Sequence, residues 1–192
     1  IASLPCPPDL IVGHKLSIEG IAVRHAAALC GIPYAISIQG NTDAKIVAAR
    51  LGVRTGPVTL LPCPTDIDTP VAPRTNGNVF ISVFHLRNHA IKNLDGMAKS
   101  ARLLDRKGHC VPLSIIGGGS ADDVARCARL VKGANSITFA GPMDRAALRA
   151  RMTQATGFVM PSRRESFGLV FIEALFCGIP IIYPAGAAVD GY

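Results

Sequence analysis

The chain has 192 residues, enough for one domain or two small ones. It is 49% hydrophobic with a formal net charge of +7, so it can bury a sizeable core and favours anionic partners such as nucleotide diphosphates. Aromatic residues are only 5%, with no Trp, which argues against a base-stacking nucleic-acid surface and against a sugar-stacking lectin.

In chain order, short β-rich runs alternate with helical stretches. Asp9 to Val12 reads as a strand, Glu19 to Cys30 as an amphipathic helix, and Tyr34 to Ile38 as a strand after the Gly31-Ile32-Pro33 turn. Val58 to Leu61 is a further short strand. Residues 62–78 hold four prolines and the Asn76-Gly77-Asn78 turn, the best linker candidate, and the domains are expected to divide near residue 70. The rhythm then restarts. Strands are expected at Val79–Phe84, Val111–Ile116, Ser136–Ala140, Gly157–Met160 and Ile179–Tyr183. Helices are expected between them at Leu94–Leu104, Ala121–Val131, Arg145–Gln154 and Ser166–Cys177. Near-continuous apolar strands between helices mark a parallel sheet covered on both faces. The fold class is therefore α/β. The first piece has too few strands for a complete domain, and the second stops without a closing helix, so the sequence reads as part of a longer chain.

No apolar run reaches the length of a membrane span, and none has signal-peptide form. None of the six cysteines is spaced as a metal knuckle or redox pair, and most sit in apolar surroundings, so they read as reduced, buried thiols. His85 and His89 are four apart but have no third ligand nearby, so no metal site is expected.

The most informative stretch runs from Pro161 to Gly178. A helix starting near Ser166 would point the N–H groups of Ser166, Phe167, Gly168 and Leu169 outward, a ready site for a phosphate. Glu165 would stand at its mouth and Glu173 inside it. The plainer reading is a helix capped by Ser166. It suits Glu173 less well, because every near neighbour from Val170 to Phe176 is apolar and a charge there needs a partner. Eight residues of helix rise about 12 Å. A glycosidase pair needs roughly 5–9.5 Å. The two carboxylates are thus expected to touch different parts of one extended ligand.

Three other loops follow strands at the same sheet edge, where ligands of open α/β sheets bind. The stretch from His85 to Asn93 offers Arg87 and Lys92 as a diphosphate clamp; it can equally be a solvated loop. Gly117-Gly118-Gly119 opens a helix, but Asp122 occupies the third glycine position of a dinucleotide fingerprint, so no NAD is expected. The small-residue loop through Gly186 to Asp190 permits close backbone contact with a phosphate or sugar, or is simply a surface loop.

Together these residues resemble the C-terminal half of a GT-B-fold retaining glycosyltransferase of the family 4 type. The matched features are Arg87 and Lys92 after a strand, the turn at Gly117 to Gly119, Pro161-Ser162 with Glu165 and Glu173 separated by seven residues, and the loop from Gly186. Residues 9–66 resemble the end of the family's N-terminal domain, with His14 after its strand and Gln39, Asn41 after the next. Gln39 stands where the family often has a histidine, and His85 where it often has the phosphate-loop arginine. The resemblance implies two Rossmann-like domains with parallel sheets, the N-terminal one (1–70) incomplete and the donor-binding one (71–192) lacking its final helices. It implies a nucleotide-diphosphate sugar as donor substrate, no cofactor and no metal. Glu165, Lys92 and Arg87 would be catalytic. Glu173, Ser166, Phe167, Gly168, Leu169, Gly117, Gly118 and Gly186 would bind the donor, and His14, Gln39 and Asn41 would lie on the sugar side. The acceptor would be a glycan, a lipid-linked species or a small molecule, in the cytoplasm or at an anionic inner membrane face, with no nucleic-acid partner. The other readings are a nucleotide-sugar epimerase of the same fold and a non-catalytic nucleotide-binding domain.

Overall fold

A computed structural model describes residues 6–14, 18–38, 65, 67, 69–73, 77–165 and 168–186. The chain divides into two compact units, residues 1–62 and 63–192. Ile67, in the segment read as a linker, is already part of the second unit's core.

In the first unit, β1 (Ile11–Gly13) and β2 (Tyr34–Ile36) pair in parallel, with Val12 opposite Ala35. The crossover between them is α1 (Ile18–Cys30). Parallel neighbours cannot be joined by a tight turn, so the helix is the required return path.

The second unit carries a five-stranded parallel sheet. Its strands are β3 (Phe80–Val83), β4 (Leu113–Ile116), β5 (Ile137–Gly141), β6 (Gly157–Val159) and β7 (Ile181–Ile182). The spatial order is β5-β4-β3-β6-β7, parallel throughout. The helices are α2 (Leu94–Arg106), α3 (Ala121–Leu130), α4 (Arg145–Thr153) and α5 (Leu169–Phe176). All four residues of β4 are buried, as a strand covered on both faces requires. Leu94, Met97, Ala98 and Ala101 make the buried stripe of α2, at the helical spacing. Asp144 starts α4 by accepting from the Ala147 N–H at 2.8 Å, an N-cap contact. The chain therefore builds outward from β3 to β5, then returns through α4 to set β6 on the other side of β3. That reversal is a topological switch point, and the loops after β3 and β6 flank the crevice it opens.

The core on the β6 side fixes α5. Phe158 of β6 meets Phe171 of α5 edge-on, with ring centroids 5.2 Å apart, and both are fully buried. Phe171 also meets Tyr183 just after β7, at 6.1 Å. Full burial of such a ring contributes about 1.5–3 kcal/mol, with a further part from edge-to-face geometry. A helix clamped in this way cannot rotate its polar residues off target.

Candidate active site

The loop after β3 is a hydrogen-bonded series of turns. Leu86–Asn88 form a short 3-10 turn, with the His85 side chain accepting from the Arg87 N–H at 3.3 Å. Lys92 N–H then donates to Asn88 O at 2.9 Å and Leu94 N–H to His89 O at 2.9 Å. Arg87 is exposed on the 3-10 turn, whereas Lys92 turns inward.

The loop after β6 meets it. Arg163 N–H donates to Ile91 O at 2.8 Å, a backbone strut between the two loops. Beside it, Lys92 Nζ lies 2.5 Å from Glu165 Oε2, with only 16% and 12% of the two side chains exposed. Ser162, itself buried, donates through its hydroxyl to the same oxygen at 3.3 Å. Two residues 73 positions apart in sequence thus meet where the strand order reverses. A cation and a carboxylate held together there, largely out of water, are strongly coupled to any anion that enters.

The start of α5 differs from the expectation. The helix begins at Leu169, and its N-cap is Gly168, left-handed at φ 80, ψ 39, with no side-chain cap. Ser166 is therefore not the cap; Ser166 and Phe167 themselves lie outside the described residues. The left-handed step suits glycine, which has no Cβ to clash. Glu165 consequently stands well ahead of the helix rather than directly at its mouth, and Glu173 is just over one turn inside. Phe171 N–H donates to Gly168 O at 2.8 Å, so the N–H groups left at the positive end of the helix dipole are those of Leu169 and Val170.

The Gly117–Gly119 turn is tied to the Arg87 loop. Leu86 N–H donates to Gly118 O at 2.8 Å, and Gly117 N–H to Gly141 O at 2.9 Å. A Cβ on Gly117, at φ 151, would lie 1.9 Å from Phe84 O. Close packing of two loops thus accounts for this glycine before any ligand is considered. Ser120 and Asp123 form a capping box at the start of α3. The Ser120 N–H and hydroxyl hold the exposed Asp123 carboxyl below its ordinary value, with His85 and Arg126 adding to the effect.

Glu173 faces a different environment. It lines a cavity of about 290 Å³ with Arg145, Arg149, Leu148, Met152, Cys177 and Ile67. The charge in the apolar helix thus shares its cavity with two arginines. Sequence reasoning missed both. Their signal was the spacing: Arg145, Leu148, Arg149 and Met152 recur at the interval of one helix face. Burial pushes the Cys177 thiol up; Arg149 opposes this and Glu173 adds to it, so both charges reach the same point.

The remaining candidates are placed as follows. Gly186 is exposed and left-handed at φ 71, shortly after Tyr183. His14 belongs to the first unit; it is exposed, and its N–H donates to Glu19 Oε1 at 2.7 Å. Gln39, Asn41 and the Val58–Leu61 strand lie outside the described residues. Of the five described cysteines only Cys127 and Cys177 are buried; Cys6 and Cys110 are exposed, which corrects the expectation that most would be buried. The helix α1, expected to be amphipathic, leaves Ile18, Ile21 and Leu29 largely exposed. Among the described residues no three His, Cys, Asp or Glu side chains are grouped to hold a metal ion, and no helix is long and apolar enough to cross a membrane.

Residues 65–187 match the family model described as glycosyl transferases group 1. This chain belongs to that family. A D-inositol 3-phosphate glycosyltransferase of Kribbella flavida is 35% identical over 202 residues, covering 98% of this chain and 45% of that protein. Another so named, from Jonesia denitrificans, is 38% identical over 110 residues, 53% of this chain and 26% of its own length. The chain thus spans less than half the length of these relatives. Among solved structures it is similar to WaaB, a lipopolysaccharide outer core galactosyltransferase, with a TM-score of 0.62 at 20% identity, covering 92% of this chain and 56% of that one. It is likewise similar to WaaG, a glycosyltransferase of lipopolysaccharide biosynthesis, with a TM-score of 0.61 at 16% identity, covering 95% and 58%. At these identities the likeness concerns the fold: α/β with parallel sheets, as in GT-B glycosyltransferases. In this group 1 glycosyltransferase chain, the family match spans the Lys92 loop, the Glu165 loop and α5 together.

Proposed function

We propose that this chain forms the donor side of a retaining hexosyltransferase that draws on a nucleotide-diphosphate sugar. The observation that carries the reading is the Lys92–Glu165 pair at the switch point. The bond from the anomeric carbon to the diphosphate breaks, and the acceptor oxygen takes the carbon with retention. The acceptor proton leaves with the departing diphosphate. Lys92 and Arg87, with the opening N–H groups of α5, stabilise the negative charge that develops there. Those cations supply what a metal supplies elsewhere, so the reaction is metal-independent. Once the diphosphate engages Lys92, Glu165 is released to accept hydrogen bonds from the transferred sugar. Glu173 accepts from the ribose hydroxyls, while Gly117, Gly118 and Gly186 let the ligand pass close to the backbone. The division between the acceptor-side and donor-side domains falls within residues 62–70, and His14, Gln39 and Asn41 are read as sugar contacts.

The relatives' name supports a phosphorylated polyol of the inositol phosphate kind as acceptor, ahead of a glycan or a lipid-linked species. The setting is the cytoplasm, with the net positive charge suited to an anionic membrane face for a lipid-linked acceptor. Calorimetry against nucleotide-diphosphate sugars of different base and sugar tests the donor side, and NMR of the product's anomeric proton tests retention. Tight binding without transfer to any acceptor would instead mark a non-catalytic nucleotide-binding domain.

A further inference from the structure

We propose that Asn93 is a positioning residue that aims Lys92 at Glu165, and that residue 96 is glycine to make room for it. The functional consequence rests on the donor-side role given to Lys92 above; the geometry does not. Asn93 is, among the described residues, the one non-glycine residue with positive φ, at φ 60, ψ 42. Most L residues are strained there, and Asn tolerates it because its short amide can bond locally.

That bonding is visible. Asn93 Oδ1 accepts from the Gly96 N–H at 3.3 Å, its own N–H donates to Ala90 O at 3.3 Å, and its carbonyl accepts from the Met97 N–H at 3.1 Å. A Cβ on Gly96 would lie 2.7–2.9 Å from three atoms of the Asn93 amide. Lys92 is the last residue before this left-handed step, and its own N–H is fixed to Asn88 O. The direction in which its side chain leaves the backbone is therefore set by a turn held on both sides. That direction brings Nζ to Glu165 rather than into solvent, where Arg87 of the same loop ends.

A plain helix cap would need none of this aim, and three substitutions separate the two roles. Aspartate keeps the cap and tolerates the left-handed backbone. Glycine keeps the backbone and loses the cap. Alanine loses both. The readout is the rate at which a small amine-acylating reagent modifies Lys92 in the full chain, followed by peptide mass spectrometry. Asn93→Asp and Asn93→Gly should leave Lys92 protected as in the parent. Asn93→Ala should raise its rate about tenfold, as the strained turn relaxes and the pair opens.

Gly96→Ala guards against an Asn93→Ala chain that fails to fold. Alanine is the better helix former, yet its Cβ would displace the Asn93 amide, so Lys92 should again react faster. Unchanged labelling in both alanine variants, or an equal rise in Asn93→Gly, overturns the proposal. With donor present, Asn93→Ala should lower kcat about tenfold while Asn93→Asp restores it. If the parent binds no nucleotide sugar while the labelling pattern holds, the donor reading fails and the positioning role stands.

Discussion

The two ends of the candidate site are built differently. At the switch point Lys92 and Glu165 are locked together, with a backbone strut from Arg163 to Ile91 beside them and Ser162 behind. Around Glu173 there is instead a cavity with an apolar floor and two arginines. The first arrangement spends contacts on fixing atoms and suits the place where bonds change, since small misplacements are costly there. The second leaves space and suits the part of a ligand that is only held. Glu165 and Glu173, which look equivalent as a spaced pair of carboxylates, therefore stand in unequal surroundings.

The largest expected effect is at the locked end. Lys92→Ala should lower turnover by about 10²–10³-fold, the range for losing one group that stabilises leaving-group charge. It should leave donor affinity less affected, which steady-state kinetics with calorimetry would resolve; near-parental turnover would break the comparison. Next, Glu173→Ala should weaken nucleotide affinity by roughly ten- to a hundredfold, the loss of charge-assisted hydrogen bonds, with kcat changed less. An equal fall in kcat and affinity would mean that the two carboxylates share one task.

A smaller change should follow from Gly117→Ala, since Phe84 O must move to admit a methyl group. A loss of about 1–3 kcal/mol in a denaturant melt is expected, of the size seen for overpacking. Activity per folded molecule should fall with it, because the shift would pass along the strand exit to the Arg87 loop. The smallest effect concerns acid. The Asp123 carboxyl is held below its ordinary value of 3.8 by Ser120. A depressed folded value gives stability above the unfolded pKa that is lost as pH falls through the folded one. Asp123→Asn should therefore flatten the fall in Tm below about pH 4, leaving the site's turnover profile near pH 7 unchanged.

Much of the second unit was legible in its sequence. Asp144 and Ser120 sit where their caps are needed, Leu94, Met97, Ala98 and Ala101 keep the helical period, and β4 is apolar but for Ser114. Helix ends were less legible. Ser166 is a good cap by type, yet α5 starts after Gly168, because the packing of Phe171 on Phe158 fixes where the helix must lie. Burial of the cysteines was misjudged for a similar reason: apolar neighbours in sequence do not say which face of an element meets the core.

The sequence by itself determined the alternation of strands and helices, the loops that carry charge, and the two glutamates, because period, capping and turn chemistry are local. Only the tertiary structure decided which charges meet. Lys92 meets Glu165 through the strand order β5-β4-β3-β6-β7, and Glu173 comes to line one cavity with Arg145 and Arg149. Those arrangements depend on non-local packing, which brings together residues distant along the chain, and no local pattern encodes that.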